Sequence, residues 1–179
     1  MNLLNLNEAQ LTDAMKDIMS AAKAHGVTGW GGECWATAIA MNKALFCGGA
    51  TYVIAFNAPL AEAGIYIGHA AIKVPADPQA GREFDLLFDA DGKPKSLDEI
   101  EAWGMLDPDD SDWRDLAQEH NVNWDEDSAF CAEISMPDDA FMSSMTSIDN
   151  TEELINIIEE CANSLQIESS TLNFRTPSP

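Results

Sequence analysis

The feature that most constrains the fold is a run of small, helix-forming residues with a glycine pair on each side. Residues 36–45 read Ala-Thr-Ala-Ile-Ala-Met-Asn-Lys-Ala-Leu, between Gly31-Gly32 and Gly48-Gly49. Small side chains permit a helix to pack closely on another layer, and glycine commonly follows a helix C-terminus. The pattern predicts a loop that turns into a helix from about Glu33 to Phe46, with Gly48 as its C-terminal cap.

A cysteine stands in the first turn of this predicted helix. The free amides of a helix N-terminus favour a thiolate, so Cys34 is the candidate nucleophile; the alternative is a buried core cysteine. The flanking residues Trp30, Trp35 and Glu33 are candidates for contacting a substrate. The oxyanion that forms when the thiolate attacks a carbonyl would accept hydrogen bonds from the backbone N–H of Cys34 and from a second donor, either the Trp30 indole or the Thr28 hydroxyl.

A histidine on a predicted strand supplies the candidate base. Of the three histidines, His69 lies in the strand-like run 65–74, which is rich in β-branched residues. His25 follows the N-terminal helix and suits a capping role, and His120 lies in an acidic stretch where a solvated face is expected. We therefore expect His69 to draw the proton from the cysteine; a core histidine is the alternative.

The candidate third residue is an aspartate on the following strand. Residues 82–89 form a second predicted strand, joined to the histidine strand by a short loop at 75–81. Two acids, Asp85 and Asp89, share one face of it. Asp85 is favoured because a tight hairpin would bring it nearer to His69, whereas Asp89 fits a turn equally well.

The heptapeptide Gly32-Glu33-Cys34-Trp35-Ala36-Thr37-Ala38 resembles the active-site signatures of papain-like proteases and of transglutaminases. His69 follows Cys34 by 35 positions, and Asp85 follows His69 by 16. This compact order is similar to the bacterial transglutaminase-like core, although Ala71 replaces the aromatic residue common after the His-Ala pair. The resemblance implies a papain-like α+β fold, with the catalytic helix packed on an antiparallel sheet, and a triad of Cys34, His69 and Asp85.

The other periodic segments fit an α+β domain. Helices are predicted at 7–24, 96–103, 112–120 and 149–165, and strands at 51–56 and 129–136, with a turn or short helix at 138–144. Asn7 with Gln10 and Ser96 with Glu99 form candidate capping boxes. Residues 1–166 are expected to form one domain, and residues 167–179 a flexible tail.

The chain is strongly acidic, and the charge is unevenly spread. Its net charge is −22; residues 1–70 carry three basic and five acidic residues, and residues 71–179 carry six basic and 26 acidic. This balance argues against nucleic-acid binding and is compatible with a basic partner, a salty habitat or simple solubility. No apolar run approaches roughly 18 residues, and no signal peptide is evident, so no membrane partner is expected. The expected location is cytoplasmic, or exported without a classical signal.

The sequence therefore predicts an enzyme that transfers acyl groups through a thioester on cysteine. Its substrate would be a protein or peptide, attacked at a peptide bond or at a glutamine-type amide. The acidity of the chain would favour a basic substrate. Water as the acceptor gives a protease, amidase or deamidase, and an amine gives a transglutaminase. The four cysteines lack metal-binding spacing, and neither a metal nor a cofactor is expected. The alternative is a non-enzymatic acidic protein that mimics nucleic acid and occupies a basic partner, and a third hypothesis is a degenerate core kept as a scaffold.

Overall fold

The structure is a computed structural model. It describes residues 2–29, 33–57, 59, 62, 68–102, 115, 118–119, 129–134 and 150–172. Most of the predicted segments at 112–120 and 138–144 lie outside these residues.

Helices and an antiparallel sheet form the described parts of the chain, which confirms the α+β class. A short 3₁₀ turn at Leu3–Asn5 precedes the first helix. The elements in chain order are α1 (Glu8–Ala24), α2 (Cys34–Phe46), β1 (Thr51–Asn57), β2 (Gly68–Val74), β3 (Leu86–Phe88), β4 (Pro94–Lys95), α3 (Leu97–Glu101), β5 (Ala129–Ile134) and α4 (Thr151–Leu172).

Helix α1 forms as its sequence predicts. Asn7 and Gln10 close a reciprocal capping box at its start, which satisfies two amides that lack helical partners. His25 ends the helix, and its backbone N–H donates to the Ala22 carbonyl. One face of the helix is buried, formed by Leu11, Met15, Ile18, Met19 and Ala22.

Helix α2 lies in the centre of the molecule. Every residue from Cys34 to Phe46 except Lys43 is buried, which explains why so many of them are small. The left-handed residue that ends the helix is Cys47, at φ 52°, and not the predicted Gly48, which follows at φ 77°. The Asn42 side chain then exchanges two hydrogen bonds with the Ala50 backbone, at 2.9 and 3.0 Å, and so fixes where β1 begins.

The five described strands are all antiparallel to their neighbours and run in the order β4-β3-β2-β1-β5. Alternate residues face two different core clusters. Ile54 and Ile72 face the cluster that includes α1, α2 and α4, whereas Val53 and Ala71 face a smaller cluster with Ile100 of α3. The sheet is thus covered by helices on both faces, with α2 held against β2.

The strand predicted at 82–89 is wrong in its first half. Only Leu86–Phe88 is strand, because the chain before it bends to hold a buried arginine. Arg82 is 1% exposed, and its guanidinium donates to the carbonyls of Leu4, Leu6 and Pro75. An isolated bridge between Asp77 and Arg82 closes this loop. Burial of an arginine requires such partners, so this loop is a structural tie to the N-terminal segment.

The last helix continues further than predicted. Helix α4 ends at Leu172 and not near Leu165, so the first residues of the expected flexible tail are helical. No glycine or proline interrupts residues 166–172, and the helix therefore has no local signal to stop. Among the described residues, no helix combines the length and apolar character that crossing a membrane requires.

Candidate active site

Cys34 is the first residue of α2, and the loop before it is tied to the helix. The Thr37 amide donates to the Glu33 carbonyl, which starts the helix, and the Thr37 hydroxyl donates to the Thr28 carbonyl at 2.9 Å. Cys34 is 6% exposed, and its thiol donates to the Gly68 carbonyl oxygen at 4.0 Å. The N-terminus of α2 therefore places the sulfur at the beginning of β2.

His69, the second residue of β2, lies beside that sulfur. Hydrogen bonding and charge between its ring and the Cys34 thiol are among the causes that raise the pKa of His69, so the two groups interact. The Nε2 atom is 3.1 Å from Oδ2 of Asp89, which leaves Nδ1 as the nitrogen for the thiol. His69 and Asp89 are each 6% exposed, so the pair is held away from bulk water.

Asp89, and not Asp85, is the acid at the histidine ring. Strands β2 and β3 pair Ile72 with Phe88, and this register continued by one residue sets Asp89 opposite Ala71. Asp89 is then the diagonal neighbour of His69 on the same face of the sheet, within reach of a long side chain. The sequence prediction that favoured Asp85 is wrong on this point.

Asp85 belongs to the loop end of the hairpin. Its Oδ2 lies 3.4 Å from Nζ of Lys73, and its Oδ1 accepts the Ala76 amide at 2.7 Å. The reason is geometric, because in an antiparallel hairpin a residue far before the loop pairs with one equally far after it. His69 begins β2, so its partner must follow the end of β3.

Two close contacts fix the turn that carries Asp89. A Cβ atom on Gly29 would lie 2.6 Å from that of Ala90, and one on Gly92 would lie 2.5 Å from the Met15 carbonyl. Gly29 thus lets the loop before Cys34 approach the Asp89 turn. Gly92, at φ 72°, lets the same turn pack on α1.

The surroundings of His69 favour its charged form. Burial by itself would lower the pKa of His69, but the hydrogen bonds with Asp89 and Cys34 and the charges of both groups outweigh it and raise that pKa to about 9. Burial likewise opposes ionisation of Asp89, yet hydrogen bonds from His69 and Asp91 hold the pKa of the Asp89 carboxyl well below its usual range. The arrangement thus favours an imidazolium beside an ionised carboxylate.

A lysine and a second aspartate back this pair, and the sequence reasoning missed both. Nζ of Lys95 lies 2.8 Å from Oδ2 of Asp91 and 4.0 Å from Oδ2 of Asp89. The Asp91 amide donates to Oδ1 of Asp89 at 3.0 Å. The spacing of Asp91 and Lys95, together with a turn sequence directly after a strand, is the signal that would have pointed to them.

The predicted substrate contacts fare differently. Trp35 is fully buried in the core, which leaves no surface for a substrate, so that prediction is wrong; the Ala-rich helix turns its first-turn tryptophan inward. Glu33 is partly exposed, and its carboxylate accepts the Thr28 hydroxyl at 2.6 Å. Because the Thr28 hydroxyl donates its proton to Glu33, it is not free to donate to an oxyanion. Trp30 lies outside the described residues.

The described residues contain no group of three or more His, Cys, Asp or Glu side chains arranged to hold a metal ion.

Comparison with models of known protein families, with curated protein sequences and with solved structures finds no match to this chain. The geometry of Cys34, His69 and Asp89 is therefore the main support for an enzymatic function.

Proposed function

We propose that this protein is a cysteine enzyme with a papain-like, transglutaminase-type core, acting on amides of a protein or peptide through a thioester. The single observation that supports it most is a buried histidine whose Nε2 lies 3.1 Å from a buried carboxylate and whose pKa is raised by a thiol at the tip of a helix. Acyl transfer requires a nucleophile next to a base that is itself oriented by an acid, and Cys34, His69 and Asp89 fit these three roles.

In the proposed mechanism, His69 takes the proton of Cys34, and the thiolate sulfur adds to the amide carbonyl carbon. The backbone N–H of Cys34, in the first turn of α2, donates to the resulting oxyanion. The C–N bond breaks as the His69 imidazolium gives its proton to the leaving nitrogen, and a thioester remains. Asp89 holds the ring so that Nδ1 faces the sulfur and stabilises the ring while it is charged.

The thioester is then resolved by water or by an amine. His69 takes a proton from the incoming nucleophile, the C–S bond breaks, and the proton returns to the sulfur of Cys34. Water produces a carboxylic acid, as in a protease, amidase or deamidase. An amine produces a new amide, as in a transglutaminase.

The test is a comparison of the wild-type protein with the Cys34→Ala variant on a glutamine-rich polypeptide, with and without a fluorescent primary amine. Chain cleavage, ammonia release and amine incorporation distinguish the three outcomes. The proposal expects at least one of them from the wild-type protein and none from the variant. Equal signals from the two proteins would reject it.

A second candidate, a non-enzymatic acidic protein that occupies a basic partner, is supported by the charge distribution. Residues 71–179 hold 26 of the 31 acidic residues, a density that attracts cationic surfaces. The two hypotheses predict opposite sensitivities. Neutralising the aspartates from Asp107 to Asp115 would abolish partner binding and leave amide chemistry intact, whereas Cys34→Ala would do the reverse.

A further inference from the structure

The side chain of Lys95 continues the line from the nucleophile through His69 and Asp89. In the β3–β4 register Lys95 pairs with Leu87, so it shares a sheet face with Asp89, the residue directly after β3. His69 on β2, Asp89 after β3 and Lys95 on β4 thus lie side by side on one face of the sheet. The Lys95 side chain is 20% exposed, which keeps its ammonium partly shielded from water.

Four charged groups lie around Lys95. Asp91 binds Nζ directly at 2.8 Å, and Asp89 lies at 4.0 Å. His69 faces Asp89 from β2, and Glu99 of α3 adds a negative charge near Lys95. With Asp91 as the first cause, these acids raise the pKa of Lys95, so it stays charged at neutral pH.

Without a cation, the carboxylates of Asp89 and Asp91 would repel each other within a single turn. The Asp91 amide is bonded to Oδ1 of Asp89, so the two residues cannot separate without opening the turn. Repulsion between like charges favours protonation of one of them or rotation of a side chain. Either change would remove the charged partner of the His69 ring.

We propose that Lys95 is a positioning residue: its ammonium holds the Asp91 carboxylate and neutralises the Asp89–Asp91 turn, and so keeps Asp89 ionised and directed at His69. This inference rests on the proposed function, because the reactivity of Cys34 is what the positioning serves. Lys95 does not touch the sulfur and acts only through Asp89.

The test measures the rate at which iodoacetamide alkylates Cys34 as a function of pH. In Lys95→Met we expect the acidic limb of the profile to move up by about one pH unit, which makes alkylation on that limb about tenfold slower. Lys95→Arg, which keeps the charge, should restore the wild-type profile. Lys93→Met removes an exposed cation two residues away and should leave the profile unchanged.

A double-mutant cycle separates positioning from a merely structural role. If Lys95 acts through Asp89, the Lys95→Met effect should fall below about twofold in the Asp89→Asn background, because the two changes are then coupled. The same shift in both backgrounds, or no shift in the single variant, would overturn the inference. Should Lys95→Met fail to fold, Lys95→Gln keeps a hydrogen-bond donor for Asp91 without the charge, and the same outcomes apply.

Failure of the inference differs from failure of the proposed function. If alkylation of Cys34 is fast and depends on His69, but Lys95→Met has the pH profile of the wild-type protein, only the proposed role of Lys95 is rejected. If Cys34 reacts no faster in the wild-type protein than in His69→Ala, the proposed function falls, and the role of Lys95 falls with it.

Discussion

The hairpin of β2 and β3 carries two acid–base pairs on one face, and they differ in almost every physical respect. Near the loop, Lys73 and Asp85 lie 3.4 Å apart with side chains 22% and 46% exposed. At the open end, away from the loop, His69 and Asp89 lie 3.1 Å apart with side chains 8% exposed, and the Cys34 thiol helps to raise the pKa of the same ring. An exposed pair is screened by water, whereas a buried pair feels the full charge of its partner.

The difference shows where structure and reactivity are separated in this molecule. The loop end holds the buried Arg82, which ties the N-terminal segment to the sheet, and its charged groups serve the fold. The open end holds groups whose proton equilibria are shifted by burial and by each other, as is common where chemistry occurs. The predictions below test that separation.

The largest expected effect is on reactivity, from exchange of the acid at the open end. Asp89→Asn should slow alkylation of Cys34 by roughly a hundredfold, because the ring loses the charge that orients it and stabilises its protonated form. The matched change Asp85→Asn should leave the rate within twofold. Equal effects from the two variants would remove the distinction between the ends of the hairpin.

A second expectation concerns stability at the loop end. Arg82→Met should lower the free energy of unfolding by roughly 3 kcal/mol, because a buried side chain loses its charge and three backbone carbonyls lose their donor. Urea denaturation measures the change. Alkylation of Cys34 should keep its wild-type rate and pH profile below the unfolding transition, and a lost or displaced profile would mean that the two ends are not independent.

The third expectation concerns pH and the pair His69–Asp89 by itself, which the Cys34→Ser variant isolates. Burial lowers the pKa of His69, and the hydrogen bonds and charges of Asp89 and Cys34 raise it to about 9, so without the thiol that pKa should lie well below 9. The stabilisation that Asp89 still provides is fully present below pH 6.5 and is lost as the pH rises through the folded pKa, a loss of at most about 1 kcal/mol.

Urea denaturation of Cys34→Ser between about pH 6 and 9 would measure that loss. The control is Cys34→Ser with His69→Gln, which lacks the titrating ring and should show no such decline. Parallel curves for the two proteins would contradict a coupled buried pair.

The smallest effect is expected from the exposed pair. Lys73→Met should change the free energy of unfolding by less than about 1 kcal/mol, since Lys73 and Asp85 are screened by solvent. Raising the salt concentration should shrink even that difference. If Lys73→Met lowered the free energy of unfolding as much as Arg82→Met does, solvent exposure would not explain how much each charged group contributes to stability.

Much of the fold was predictable because its signals are local. The capping boxes at Asn7 and Ser96 and the buried stripe of α1 form as their residue patterns indicate. The start of α2 at Cys34 differs from the prediction by one residue. Each of these depends on hydrogen bonds or periodicity within a few residues of the chain.

What sequence could not fix depends on register and on long-range contacts. The choice between Asp85 and Asp89 requires the pairing of β2 with β3, and in the loop between these strands Arg82 donates to carbonyls of residues more than 70 positions away. Likewise, the spacing of Asp91 and Lys95 indicates a local ion pair, but only the pairing of the strands brings that pair to the His69 ring. A candidate site built from distant strands is therefore decided by tertiary structure.

The most direct measurement of the central claim is the alkylation of Cys34 against Cys47, an exposed cysteine in the same chain. At about pH 6 an ordinary thiol is almost wholly protonated and reacts slowly. The account predicts that iodoacetamide modifies buried Cys34 before exposed Cys47, and that His69→Ala reverses the order. If Cys47 reacts first in the wild-type protein and His69→Ala leaves the Cys34 rate unchanged, the sulfur is structural and the account is contradicted.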